Sequence, residues 1–138
     1  MNKFVINTDG GSRGNPGPSA CAFVITDDHN KKIDGGGKYL GICTNNEAEY
    51  QAVILALEWV VDNLLENLPD QIEFKADSKL VVEQLSGRFK VKHPRIKVLH
   101  GRAKELEKNL TEVNYTYIPR EENYQADALV NQILDLSS

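Results

Sequence analysis

Four acidic residues stand at positions where a protein core would favour other side chains. Asp9, Glu49, Asp77 and Asp127 each lie at or near the predicted start or end of a strand or helix. Such carboxylates cost desolvation free energy and repel one another unless a cation neutralises them. A set of oxygen ligands without His or Cys favours a hard cation, Mg²⁺ or Mn²⁺. The sequence therefore predicts a metal site, provided that the fold brings the four acids together.

A simpler interpretation competes for each acid, because an aspartate at a strand end or helix start most often caps the element or makes a turn. Asp77 and Asp127 fit that description. Glu49 does not, since it lies inside a predicted helix on the same face as Val53 and Ala56. A carboxylate on an apolar helix face needs a partner in the sheet against which the helix packs.

The composition is typical of one folded domain. The chain has 138 residues, of which 41% are hydrophobic and 26% are charged, and we expect residues 1–138 to form a single α/β domain. No apolar run approaches the length of a membrane span and no leader is recognisable, so we expect a cytoplasmic protein without membrane contact. Cys21 and Cys43 lack metal-ligand spacing and are predicted to be free thiols.

Charge is distributed unevenly along the chain. The formal net charge is -4, yet residues 88–104 contain seven basic residues and no acidic one. Such a segment is either a solvated surface or a patch that attracts phosphate, and charge alone does not decide between the two.

Apolar runs and turn residues predict the element order βββαβααβα. The first strand ends where a Gly-rich run begins, so Asp9 is predicted to cap it. Thr44 and Glu47 form a capping box for a long helix, and the crossover through that helix places the first and fourth strands side by side, where Asp9 and Asp77 should meet. A bulge or a twist is predicted at glycines 35–37. The predicted strands are 3–8, 20–26, 31–42, 71–76 and 112–118, and the predicted helices are 44–65, 79–85, 94–110 and 123–136.

The Gly-rich run over residues 10–18 precedes an antiparallel strand and lacks the Lys-Ser/Thr pair of a P-loop. A plain turn is one interpretation. The other is that glycines beside the acids let the backbone approach a sugar-phosphate strand closely, where hydrogen bonds to 2′-hydroxyls distinguish RNA from DNA.

Four short segments together resemble the type 1 ribonuclease H family, in its shorter form without the basic protrusion. They are residues 8–17 (TDGGSRGNPG), 44–49 (TNNEAE), 76–78 (ADS) and 123–127 (NYQAD), and the resemblance covers about residues 3–134. It implies the RNase H-like fold, a mixed five-stranded sheet flanked by helices. It also implies hydrolysis of the RNA strand of RNA·DNA hybrids with two Mg²⁺ ions, for which Mn²⁺ can substitute, leaving 5′-phosphate and 3′-hydroxyl ends.

The resemblance assigns roles to individual residues. Asp9 would bridge both ions, Glu49 and Asp77 would complete one site, and Asp127 would hold the other. Substrate contacts would come from two segments, Gly11, Ser12, Arg13, Gly14 and Asn15 in the first and Thr44, Asn45 and Asn46 in the second.

Two parts of the family pattern are absent from this sequence. The loop before the last helix carries no His, and Arg120 and Glu122 are the candidates to assist catalysis in its place. The basic protrusion is missing too, and Lys90, Lys92 and Arg95 would replace part of its grip on the substrate.

The leading hypothesis is a hybrid-directed endoribonuclease that acts as a monomer without an obligate protein partner. One alternative is a non-catalytic module that binds RNA·DNA hybrids, which would not require all four acids. The other is a DNA-directed nuclease, or an ATPase, of the same fold superfamily. The segments TNN and GSRGN match the hybrid-cutting enzymes better.

Overall fold

Five strands form one mixed sheet in the order β3-β2-β1-β4-β5. The structure is a computed structural model that describes residues 2–138. Strands β1, β2 and β3 form an antiparallel meander, whereas β4 lies parallel to both β1 and β5. The element order and the mixed sheet confirm the predicted RNase H-like fold class. The strands are β1 (Lys3–Ser12), β2 (Gly17–Thr26), β3 (Lys32–Cys43), β4 (Gln71–Ala76) and β5 (Glu112–Tyr117), and the helices are α1 (Asn45–Leu64), α2 (Lys79–Leu85), α3 (Pro94–Glu107) and α4 (Tyr124–Ser137).

Strand β1 is longer than its sequence suggests. The prediction that the Gly-rich run ends this strand before Asp9 is wrong, because Gly10 and Gly11 continue the antiparallel pairing with β2. Asp9 therefore lies inside β1, opposite Ala22, and one residue past Thr8, where the pairing with β4 ends. The divergence of β1 from β4 after Thr8 opens the sheet beside Asp9.

Of the two alternatives predicted for glycines 35–37, the bulge is wrong. These residues pair in unbroken register with β2, and the register shifts of β3 lie towards the two ends of the pairing. Packing explains the glycines instead, since a Cβ atom on Gly37 would lie 2.6 Å from Cδ1 of Ile133 in α4. The missing side chain lets the helix lie close to the sheet.

Helices cover both faces of the sheet. The apolar face predicted for α1 is buried, with Val53, Ala56 and Val60 at most 1% exposed, and it packs with α2, α3 and the sheet into the main core. On the opposite face, Val130 and Leu134 of α4 pack against small residues of β2. This two-sided cover fixes both α1 and α4 relative to β1, the strand that carries Asp9.

Local signals account for most helix ends. The capping box is confirmed, because Thr44 Oγ1 accepts a hydrogen bond from the Glu47 N–H at 3.2 Å and the Glu47 carboxylate accepts one from the Thr44 N–H at 3.2 Å. Helix α3 ends at Glu107, before the predicted residue 110, because the N–H groups of Asn109 and Leu110 each donate to the carbonyl three residues earlier, in tight turns.

No helix within residues 2–138 is long and apolar enough to cross a membrane.

Candidate active site

Three of the four predicted acids converge where β1, α1 and the end of β4 meet. One carboxylate oxygen each from Asp9, Glu49 and Asp77 lies within 4.8 Å of the other two. Asp9 and Glu49 are 7% and 8% exposed, whereas Asp77 is half-buried. All three line a cleft of about 540 Å³. The predicted meeting of Asp9 and Asp77 through the parallel pairing of β1 with β4 is therefore confirmed.

Asp127 lines the same cleft from the first turn of α4 but is not a member of the tight group of three. Its Oδ1 accepts a hydrogen bond from Arg120 Nη2 at 3.3 Å, and its Oδ2 accepts one from Asn131 Nδ2 at 3.4 Å. Its charge still acts on Asp9, since it contributes to the raised pKa of that residue. Asp127 thus faces Asp9 from α4, the helix that lies on the other face of the sheet from α1.

Backbone packing sets the distance between Asp9 and Glu49. A Cβ atom on Gly10 would overlap the Ala48 carbonyl and lie 2.5 Å from the Glu49 nitrogen, so only glycine lets β1 and α1 approach this closely. The Gly10 N–H then donates a hydrogen bond to Glu49 Oε1. Glu49 therefore has the sheet partner that its place on an apolar helix face requires.

Burial and mutual repulsion raise the pKa values of Asp9 and Glu49. Burial, followed by the charges of Asp77 and Asp127, raises the pKa of Asp9 from 3.8 to about 7. Burial, followed by the charges of Asp9 and Asp77, raises the pKa of Glu49 well above its ordinary value, and the hydrogen bond from Gly10 opposes this only in part. A cation bound among the carboxylates would remove both the repulsion and much of the desolvation cost.

The chemistry of the donor set fits a hard divalent cation. The group offers only carboxylate oxygens, and the cleft lining adds Ser78 and the amides of Asn45, Asn46 and Asn131 but no His or Cys. Mg²⁺ and Mn²⁺ prefer such oxygen ligands, whereas zinc sites in proteins draw on His and Cys. All three histidines of the chain lie outside this cleft lining.

Sequence reasoning missed Asn123 as a residue of the site. Its side chain is 1% exposed, and its Nδ2 donates to the Thr8 carbonyl at 2.8 Å and to Asp77 Oδ2 at 3.3 Å. Its Oδ1 accepts a hydrogen bond from Asn7 Nδ2 at 3.1 Å. Asn123 thus ties α4 to β1 and orients Asp77. Its position just before a helix predicts an ordinary cap, and only the fold shows its second role.

The two predicted substrate-binding segments meet at the rim of the cleft. Ser12 donates its N–H to Asn45 Oδ1 at 2.8 Å, and Asn45 donates its N–H to Asn15 Oδ1 at 3.0 Å. These bonds fix the segment after Asp9 against the start of α1. The structure places Gly11, Ser12, Arg13, Asn45 and Asn46 in the cleft lining, and Gly14, Asn15 and Thr44 outside it.

Arg13 has a partner that the sequence did not predict. Its guanidinium lies 2.7 Å from the Asp135 carboxylate of α4. Both side chains are largely exposed, so the pair contributes little stability. Its effect is to hold the Arg13 side chain towards α4 at one side of the cleft.

The predicted auxiliary residues separate into two places. Arg120 lines the cleft beside Asp127, whereas Glu122 lines a neighbouring pocket below the start of α4. Lys90, Lys92 and Arg95 lie outside the cleft lining. Arg95 reaches the start of α1, where its Nη1 is 3.8 Å from a carboxylate oxygen of Glu47.

Comparison with known proteins agrees with this geometry. A family model described as "Reverse transcriptase-like" matches residues 7–133. The chain is 41% identical to ribonuclease HI of Halobacterium salinarum over 92% of this chain and 62% of that protein. It is also 41% identical to the bifunctional protein Rv2228c of Mycobacterium tuberculosis, over 99% of this chain and 36% of that protein. The chain therefore spans less than two thirds of the length of either relative.

A solved structure matches over almost its whole length. The crystal structure of LC11-RNase H1 in complex with RNA/DNA hybrid has a TM-score of 0.93 and 37% sequence identity, covering 97% of this chain and 98% of that one. The two proteins are therefore similar in amino-acid sequence as well as in fold.

Proposed function

Because the chain belongs to the type 1 ribonuclease H family, we propose that it is an endoribonuclease that hydrolyses the RNA strand of RNA·DNA hybrids. The observation that carries the proposal is the group of three carboxylates, Asp9, Glu49 and Asp77, within 4.8 Å of one another. A module that only binds hybrids would gain nothing from burying Asp9 and Glu49, whose pKa values are raised by that burial. A phosphodiesterase that recruits cations to the scissile phosphate requires them.

Asp9, Glu49 and Asp77 would hold one divalent cation, and Asp127 together with Asp9 would hold a second. Mg²⁺ fits this oxygen donor set, and Mn²⁺ can take its place. When bound, such ions would stabilise charge on the phosphate and help a water to lose its proton. Attack of that water on phosphorus with rupture of the P–O3′ bond would leave a 5′-phosphate on one product and a 3′-hydroxyl on the other. The chain itself supplies the anchor points, at a spacing that Gly10 and Asn123 maintain.

The rim of the cleft supports recognition of RNA. Gly11 and Ser12 line the cleft beside Asp9, and Asn45 and Asn46 line it from the start of α1. Amide groups and exposed backbone at such a rim can hydrogen-bond to 2′-hydroxyls, the group that distinguishes RNA from DNA. These residues would select the strand to be cut by placing it against the acids.

Between the two auxiliary candidates, the geometry favours Arg120. It lies in the cleft and pairs with Asp127 at 3.3 Å, whereas Glu122 faces a different pocket. A guanidinium group offers hydrogen-bond donors and no acceptor, so Arg120 cannot serve as a proton acceptor. Its proposed role is to offset the charge of Asp127 and to contact a phosphate of the substrate.

The test uses labelled RNA·DNA, RNA·RNA, DNA·DNA and single-stranded RNA, each with Mg²⁺, with Mn²⁺ and with chelator. We expect cleavage of the RNA strand of the hybrid, lost with chelator and in Asp9→Asn. The matched control is Asp62→Asn, which removes an exposed acid of α1 outside the cleft lining and should leave cleavage unchanged.

Two outcomes would contradict the proposal. Binding of hybrid without cleavage in any metal would indicate a non-catalytic module, and cleavage confined to double-stranded DNA would indicate a DNA-directed nuclease. A monomer and a cytoplasmic location stay predictions, the first of which sedimentation of the purified protein can test.

A further inference from the structure

The segment between α2 and α3 carries two exposed lysines. Residues 86–93 have no regular secondary structure, and Lys90 and Lys92 make no ion pair within residues 2–138. Their neighbours differ, since Arg88 is bound to Glu83 at 2.8 Å and Arg95 lies 3.8 Å from Glu47. Lys90 and Lys92 therefore present the uncompensated charge of this segment.

A buried glutamine connects this segment to the helix that bears Glu49. The Gln84 side chain is 8% exposed, and its Oε1 accepts a hydrogen bond from the Tyr50 hydroxyl at 2.7 Å. Its Nε2 donates to the Lys90 carbonyl at 3.4 Å. Tyr50 is fully buried and directly follows Glu49 in α1. Two hydrogen bonds thus run from the acid-bearing helix to the backbone of the lysine segment.

The backbone of the same residue contacts a third element. The Gln84 carbonyl lies 3.2 Å from His100 Nε2 of α3 and accepts the Gly87 N–H at 3.1 Å. The end of α2 is therefore fixed to the middle of α3, and Gly87, at the start of the lysine segment, is bonded to the end of α2. Two contacts reach the middle of the segment. The Gln84 side chain bonds to the Lys90 carbonyl, and Val91 packs partly buried against the main core.

Gln84 lies in apolar surroundings apart from the Tyr50 hydroxyl. Its neighbours Val81, Val82 and Leu85 are at most 2% exposed and belong to the main core. An apolar side chain of similar length would fill that space without the desolvation cost of an amide, although it would remove the acceptor of the Tyr50 hydroxyl. The amide provides what an apolar side chain could not, a hydrogen bond to the chain that carries the lysines.

We propose that Gln84 is a positioning residue, which holds the segment of Lys90 and Lys92 at a fixed place relative to the acidic cleft so that the two lysines meet the phosphates of a bound hybrid. This rests on the proposed function, since the hybrid is the substrate that both require. Preorganisation of this kind lowers the free energy that binding must spend on ordering the segment. It affects substrate affinity and leaves the chemical step alone.

The main variant is Gln84→Met, which keeps the length of the side chain and removes both hydrogen bonds. We expect KM for the hybrid to rise about tenfold, the equivalent of ordering roughly one more backbone residue on binding, with kcat unchanged. The dissociation constant of the hybrid, measured with chelator present, should rise by a similar factor.

Two further variants separate positioning from folding. The double variant Tyr50→Phe/Gln84→Met replaces both hydrogen-bonding partners by apolar groups, which restores much of the stability without restoring the bond to Lys90. Its KM should remain raised. Val60→Ala destabilises the same core at the far end of α1 and should leave KM unchanged.

A double-mutant cycle supplies the decisive comparison. If Gln84 acts through the lysines, Gln84→Met should change KM less than twofold in a Lys90→Ala/Lys92→Ala background. An unchanged tenfold effect in that background would overturn the proposal. So would a loss of kcat at constant KM, or an equal rise of KM in Val60→Ala.

The dissociation constants keep this test separate from the proposed function. A chain that binds hybrid without cutting it would refute the enzymatic proposal, and the binding cycle would still decide the role of Gln84. A chain that cuts hybrid normally but shows no effect of Gln84→Met would refute the positioning role alone.

Discussion

The metal-free protein should lose stability as the pH rises, and Asp9→Asn should remove the part of that loss that Asp9 contributes. In the folded state the pKa of Asp9 is about 7, against an ordinary value of 3.8. Folding therefore favours the protonated carboxyl. The associated stability is fully present below about pH 4 and is lost as the pH rises through about 7.

The size of the effect follows from the two pKa values. The change from 3.8 to about 7 corresponds to about 4 kcal/mol, at about 1.4 kcal/mol for each pH unit. Because burial also raises the pKa of Glu49, the second acid adds a loss of the same sign. Asparagine has nearly the shape of aspartate and does not ionise, so at about pH 8 the variant should be the more stable protein by up to about 4 kcal/mol.

The assay is thermal and urea unfolding followed by circular dichroism, with chelator present, between about pH 4 and pH 8. The melting temperatures should coincide at the acid end and differ by roughly 12 °C at the alkaline end. Mg²⁺ should stabilise the wild type at alkaline pH more than it stabilises Asp9→Asn. Parallel pH profiles of the two proteins, or a less stable variant at about pH 8, would refute the reasoning.

Three further substitutions probe the framework of the site. Gly10→Ala would place a methyl group on the Ala48 carbonyl and should cost about 3 kcal/mol or more in urea unfolding, whereas an unchanged midpoint would show that β1 and α1 can separate. Asn123→Ala removes the buried hydrogen bonds to Thr8 and Asp77 and should lower the free energy of unfolding by about 2–3 kcal/mol. It should also abolish hybrid cleavage, and full cleavage by this variant would exclude a role of Asn123 in orienting Asp77. Thr44→Ala removes half of the capping box and should lower the free energy of unfolding by about 1 kcal/mol. A change smaller than the error of the unfolding measurement would contradict this.

Local sequence signals predicted the elements whose cause is itself local. The capping box at Thr44 and the short run of β4 were predicted correctly, because hydrogen bonds within a few residues and alternating burial decide them. The end of β1 was not, because glycines after a strand usually indicate a turn. Here Gly10 serves the packing of β1 against α1, a contact between segments 39 residues apart in sequence. No local pattern distinguishes that glycine from one in a turn.

The acids of the candidate site could be predicted from the sequence, whereas the residues that position them could not. Carboxylates at unusual positions are visible in a sequence, and Asp9, Glu49 and Asp77 do converge. Asn123 and Gln84 are ordinary polar residues of a helix start and a helix interior. Their importance depends on which distant backbone groups lie beside them, and this is decided only when α2 and α4 dock on the sheet.

Because of the contact at Gly10, the distance between Asp9 and Glu49 does not depend on which apolar side chains fill the core. Asp9 precedes Gly10 and Glu49 follows Ala48, so each acid is the immediate neighbour of a residue in a backbone-to-backbone contact. Main-chain atoms do not change when side chains are substituted. Homologous chains can therefore replace much of the apolar interior, and drift far apart in sequence, while the two carboxylates keep the same separation. The separation of Asp9 and Glu49 thus depends on one glycine and on the main-chain atoms of two residues that it contacts.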